Sequence, residues 1–310
     1  MPTLTQPIPR GAKAVSTATP AENFQGAMLM CAAMAAFTMN DTAMKFVTQD
    51  LPLYQSITLR GLTIMPLLAL AARREGGLNL RVAPENRWPM ALRTLGEVSS
   101  TVLFLNALKQ MALADLSAIM QSLPLLVTLA AAMWFGETLG LRRMAAISVG
   151  LVGVLMILRP GTEAFDIWSA VALASVAGVV LRDLATRTFS RGATSTTIAF
   201  YAAAAVTATA FVFSLGEGWQ MPTLMQAGLL LLSGAFLTVG YITVIATMRV
   251  GEIGFVAPFR YVSLVVAIVL GLIVFGEWPD LWTWTGSALV VGAGVYTILR
   301  ERRLVRTGRI

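Results

Sequence analysis

The chain has 310 residues, 56% of them hydrophobic and 13% charged, with a mean hydropathy of +0.73. Globular proteins average about 45–50% apolar and about 25% charged residues, so an ordinary soluble enzyme is excluded: the polar groups needed to cover a water-facing surface are missing. With no histidine and the single cysteine Cys31, the chain offers no imidazole base, no usual zinc site and no internal disulfide; no metal or cofactor is expected, and the net charge of +7 is read as membrane topology rather than nucleic-acid binding.

Ten apolar stretches follow one another at about residues 24–48, 53–72, 88–108, 112–134, 143–158, 167–186, 195–214, 225–247, 254–275 and 280–299. Their length and their Ala, Leu and Met content argue for helices, because barrel strands would be ~10 residues of alternating polarity. The expected fold is therefore an all-α integral membrane protein of ten transmembrane helices. Helix 1 continues through Asn40, Asp41 and Lys45, which a cleaved signal peptide would lack, so it is expected to be retained. With the N-terminus inside, the inner segments hold sixteen basic residues, among them Arg73, Arg74, Arg142, Arg143, Arg187, Arg191, Arg300 and Arg303, and the outer loops hold only Lys109 and Arg159. That bias predicts a multi-pass protein with both termini cytoplasmic. The seven tryptophans, Trp88, Trp134, Trp168, Trp219, Trp278, Trp282 and Trp284, fall near helix ends, where their rings suit the headgroup layer.

The two halves repeat. Phe135-Gly136-Glu137 recurs as Phe275-Gly276-Glu277, a spacing of 140 that also aligns Lys109 with Arg249; a spacing of 142 aligns Asp41 and Lys45 with Asp183 and Arg187. The chain then divides into a cytoplasmic tail (1–23), a five-helix unit (24–158), a second five-helix unit (167–299) and a basic cytoplasmic tail (300–310). An odd number of crossings per unit forces the second copy to enter the membrane from the other side, and inverted repeats are an architecture of secondary transporters.

Ten helices, the five-plus-five repeat and the paired Phe-Gly-Glu elements resemble the EamA family of the drug/metabolite transporter superfamily from about residue 24 to 299. Within it, Phe37-Thr38-Met39-Asn40-Asp41 with Lys45 and then Arg60 is similar to a bacterial group that includes riboflavin and S-adenosylmethionine-type carriers. The resemblance implies a carrier in the cytoplasmic (inner) membrane of a bacterium, surrounded by lipid. Its cargo would be a small metabolite, with protons as the candidate coupling ion. The oligomeric state is left open.

A charge near the bilayer centre costs about 2.5–3.5 kcal/mol on insertion scales, so each one calls for an explanation. Three acid–base pairs stand four residues apart: Asp41 and Lys45, Arg93 and Glu97, Asp183 and Arg187. Arg60, Arg182 and Arg260 have no acid at helical spacing and must find a partner across the bundle, face an aqueous cavity or, for Arg182 above all, snorkel to the interface. Within the spans, five bases (Lys45, Arg60, Arg93, Arg182, Arg260) face three acids (Asp41, Glu97, Asp183), which favours a neutral polar or anionic solute. The main substrate-binding or coupling candidates are Asn40, Asp41, Lys45, Arg60, Gln121, Arg260 and Tyr261, with Gln55 and Ser263 as further polar lining; Arg93, Glu97, Arg182, Asp183 and Arg187 are secondary or structural. Pro124 and Pro258 loosen the backbone near them, and Met28 to Met44 read as core packing. No Gly-Lys-Ser/Thr phosphate loop is present. An Asp41/Asp183 protease dyad is disfavoured because a base at i+4 would keep each carboxylate ionised. The competing readings are a channel, and an exporter of amino acids or drugs.

Overall fold

The computed structural model describes residues 19–73, 77, 80–136, 140–162, 166–189, 195–250 and 253–306. Among them the chain is all helix, in the order α1 Pro20–Val47, α2 Leu53–Arg73, α3 Arg87–Gln110, α4 Leu113–Met120, α5 Leu123–Phe135, α6 Leu141–Leu158, α7 Ile167–Arg187, α8 Ser195–Ser214, α9 Leu224–Val250, α10 Ile253–Val256, α11 Val262–Leu270 and α12 Leu281–Arg306. Thr19 starts α1 by accepting from the Glu22 N–H while Glu22 reaches back to the Thr19 N–H, and Pro20 occupies the first turn, where its missing donor costs nothing.

Two crossings are broken, each beside a proline. In the fourth, α4 stops at Met120, Gln121 and Ser122 form a turn, and α5 restarts with Pro124 in its first turn. In the ninth, α10 passes into a 3-10 turn, Ala257–Tyr261, that contains Pro258; α11 follows and ends in a π turn, Gly271–Phe275. Proline removes one backbone donor and crowds the preceding turn, so the expected loosening takes the form of a break. Both Phe-Gly-Glu elements begin in the same way: Gly136 and Gly276 each have φ +68, the left-handed helix-ending conformation that favours glycine. Glu137 lies outside the described residues.

Among the described residues, seven spans are long and apolar enough to cross a membrane: Leu53–Arg73, Leu113–Phe135, Leu141–Leu158, Ile167–Arg187, Thr197–Ser214, Leu224–Val244 and Ala257–Phe275. The other three helical stretches, α1, α3 and α12, have 28, 24 and 26 residues and fall outside that set. The principal helix pairings are α1 with α9, α3 with α7, α6 with α12 and α2 with α8, and α4 packs on α11. Exchanging each crossing for the one five later leaves this set of pairings unchanged.

Small residues permit the close approaches. A Cβ on Gly96 would lie 2.7 Å from the backbone oxygen of Gly178 and from the backbone nitrogen of Arg182, and one on Gly153 would lie 2.6 Å from the Gly286 oxygen. Met30 and Met34 are buried in one apolar cluster and Met44 in the largest one, as core packing expects, whereas Met28 and Met39 are exposed and do not belong to the core. Trp88, Trp134, Trp219, Trp278, Trp282 and Trp284 are exposed near helix ends.

Candidate functional site

At the end of the bundle expected to face outward, polar side chains fasten the helices together. Lys45 is 5% exposed; its ammonium donates to the Glu277 carboxylate and to the Met111 carbonyl (2.7 Å), and lies 4.9 Å from the Phe275 ring centroid. Glu277 also accepts from the Leu113 N–H at 2.9 Å. Lys45 is therefore paired with Glu277 rather than with Asp41. The physical reason is reach: the flexible lysine stem extends toward the end of α1, where the Met111 carbonyl just past α3 is available. Glu277 thus does more than follow a helix cap. Nearby, Glu217 accepts from the N–H groups of Tyr54 (3.3 Å) and Gln55 (3.0 Å) at the start of α2. The Gln55 side chain exchanges bonds of 2.6 and 3.0 Å with the Gln220 backbone, so Gln55 ties down a connection instead of lining a cavity. Arg159 pairs with Asp280, and Thr283 donates to Asp115 at 2.8 Å.

Deeper in the bundle, Asn40 links three helices. Its Oδ1 accepts from Arg60 (3.3 Å) and from the Ser233 hydroxyl (2.7 Å), while its Nδ2 donates to Asp41 (2.9 Å). Arg60, 4% exposed, thus finds its partner across the bundle, and its Nε has no hydrogen-bond partner among the described residues. It lines a small cavity of about 40 Å³ together with Glu97, Thr101 and Tyr241. The Tyr241 ring meets Phe37 edge-on at 5.7 Å. Tyr241 and Thr101 are missing from the residues picked out by sequence. They stand 140 apart, so the spacing that aligns the Phe-Gly-Glu elements was the available signal.

Glu97 holds two arginines, Arg93 one turn away and Arg182 across from α7, each at 3.6 Å. The expected Arg93/Glu97 pair is present, and Arg182 is bound within the bundle instead of snorkelling. Asp183 is engaged by Arg182 at 2.9 Å, so the expected partnership of Asp183 with Arg187 is replaced. Gln121 donates to Ser263, joining the breaks of the fourth and ninth crossings; these two residues are 142 apart, the offset that aligns Asp41 with Asp183. Tyr261 is 7% exposed and packed against Gly294, with no partner for its hydroxyl among the described residues. A second pocket, about 260 Å³, is lined by Leu123, Pro124, Val127, Asp183, Arg187 and Arg260. Arg187 and Arg260 are exposed there and form no ion pair among the described residues.

The sequence profile of the EamA-like transporter family matches residues 24–159 and again residues 166–300. A S-adenosylmethionine uptake transporter of Rickettsia bellii is 24% identical over 59% of this chain and 62% of its own length, and a riboflavin transporter of Vibrio cholerae is 26% identical over 56% and 58%. These matches thus cover about three-fifths of each relative. A pseudopaline exporter of Pseudomonas aeruginosa is 26% identical over 86% of this chain and 94% of its own. A crystal structure with 20% identity superposes with a TM-score of 0.64, covering 90% of this chain and 98% of that one, a likeness of fold alone.

Proposed function

This chain belongs to the EamA-like transporter family, and from that premise we propose that it is a secondary transporter carrying a small organic metabolite across the bacterial inner membrane by alternating access. The two units, 24–158 and 167–299, are inverted copies with both termini cytoplasmic. The carrying observation is an asymmetry: Lys45–Glu277, Arg159–Asp280 and Thr283–Asp115 tie the two halves together at one end, while a pocket with charges of both signs stands at Asp183, Arg187 and Arg260. This is the arrangement of a carrier closed outward and accessible inward. Lys45 and Arg187, aligned in the repeat, are in opposite conditions, one ion-paired and one without an ion pair among the described residues.

Arg60, Asn40 and Asp41 form the interior polar station, with Asp41 as candidate proton acceptor and Gln121, Arg260 and Tyr261 around the broken helices. The solute is a neutral or anionic metabolite, and riboflavin is the first to test because riboflavin transporters are among the relatives. Export is the second reading, favoured by the long match to the pseudopaline exporter. Proteoliposomes preloaded with unlabelled solute should take up labelled solute by saturable, counterflow-stimulated exchange. Linear flux unaffected by preloading would make the protein a channel.

A further inference from the structure

Most of the interior charges are engaged with one another. Arg60 is joined to Asp41 through Asn40, Lys45 is paired with Glu277, and Arg93 and Arg182 together hold Glu97 and Asp183. Arg187 and Arg260 then share one pocket with Asp183, whose carboxylate is already bound by Arg182, and neither of the two forms an ion pair among the described residues. While that pocket is open, salt ions from solution neutralise them. In alternating access, on which this inference rests, the pocket must close around its cargo before it opens to the other side. Closing over two guanidinium groups beside a single carboxylate that is already engaged by Arg182 is unfavourable unless the cargo carries further opposing charge inside.

We propose that the transported solute is a small organic dianion, a dicarboxylate or phosphate monoester, with its two negative charges set against Arg187 and Arg260. This takes the anionic arm of the substrate choice above. Guanidinium forks match carboxylate and phosphate oxygens in pairs, which suits arginine to this task. The pocket agrees in size and character: about 260 Å³ lies below the roughly 300–1,000 Å³ of sites for drug-sized ligands, and no aromatic side chain among its lining residues offers a face to a flat ring. Leu123, Pro124 and Val127 would receive the short carbon skeleton between the two charged ends.

The test uses the purified full chain in nanodiscs of zwitterionic lipid. At matched ionic strength, sulfate should raise the melting temperature above that in chloride. Succinate, glutarate and glycerol phosphate should do so with saturation, and monomethyl succinate and succinamide at least tenfold more weakly. Arg187→Gln and Arg260→Gln should each lose the sulfate effect, Arg260→Lys should retain it, and Lys109→Gln, at the opposite end, should match the unaltered protein. Counterflow of at least one labelled dianion should fall at least tenfold in the two glutamine variants. If neither sulfate nor any dianion stabilises the protein, the proposal is wrong. It is also wrong if riboflavin counterflow persists unchanged in both glutamine variants, an outcome that leaves the transport reading standing. Stabilisation by dianions without counterflow of any solute would instead remove the transport reading and keep the anion site. If nanodiscs of anionic lipid abolish the sulfate effect and no soluble dianion restores it, the arginines hold lipid headgroups and the proposal falls.

Discussion

Lys45 is held by Glu277 at 5% exposure, and neither group tolerates the loss of the other equally. Breaking a buried pair by removing one partner costs about 3–5 kcal/mol, because the remaining charge stays buried; Glu277 is 26% exposed, which puts this pair toward the lower end. Lys45→Met should therefore be milder than Glu277→Gln, which strands the ammonium. The Lys45→Met/Glu277→Gln double variant should express better than Glu277→Gln alone, as fluorescence-detected size exclusion would read. A double variant that loses as much as the two single losses added together would mean that the pair contributes nothing to folding. For Arg60, the chain of bonds through Asn40 predicts that Arg60→Gln reduces transport at least tenfold with membrane expression within about twofold; full transport by a well-expressed variant would remove Arg60 from the site. The helical spacing of Arg93 and Glu97 made that pair legible in advance. The partners of Lys45 and Asp183 were not: Lys45 reaches Glu277 on a distant part of the chain, which no local spacing reveals, and Asp183 is taken by the adjacent Arg182 instead of the residue one turn on.

Helix positions were read from hydropathy to within a few residues, as 195–214 against α8 and 167–186 against α7 illustrate. A run of ~20 apolar residues has few other uses. Breaks at the fourth and ninth crossings were foreshadowed by Pro124 and Pro258, although the π turn at Gly271–Phe275 has no comparable signature in the residues. The α3–α7 contact gives the sharpest test of packing. Gly96→Ala places a methyl 2.7 Å from backbone atoms of α7, which cannot swing aside as a side chain can, so the helices must separate and the 3.6 Å contact of Glu97 with Arg182 must lengthen. A clear fall in melting temperature is expected. Gly292→Ala, with no atom within 4 Å of the added carbon, should leave melting unchanged or slightly raise it. Equal melting of the two variants would show that α3 and α7 do not depend on that close approach.

For the whole molecule, the distribution of Lys and Arg predicts that a cysteine engineered at position 163 is labelled by an impermeant reagent from outside and one at 75 is not, both positions lying outside the described residues. The reverse pattern would overturn the assigned orientation, and labelling of both positions from the same side would remove the inverted arrangement. The duplicated unit was legible because Phe-Gly-Glu recurs and charges align; the way the units combine was not. The four main pairings, α1 with α9, α3 with α7, α6 with α12 and α2 with α8, all run between the first five crossings and the last five. Such packing does not suit a motion in which one unit rocks against the other as a block. The moving bodies should each contain helices of both units, and spin-label distances between α1 and α9 should stay constant across the cycle while distances across the Lys45–Glu277 contact change.

That interleaving also bears on how the chain is made. The translocon releases helices in order, and α1, α2 and α3 enter the bilayer well before α9, α8 and α7 exist to receive them. During synthesis the first half is thus a set of waiting helices whose glycine-lined faces are met only by lipid, and α6 waits until α12 arrives at the end. A ribosome that stops before residue 281 would leave the Gly150–Gly153 face of α6 bare, a ready mark for membrane quality-control proteases. Conversely, two separately translated fragments, divided between α6 and α7, carry complementary faces and should find one another in the same membrane.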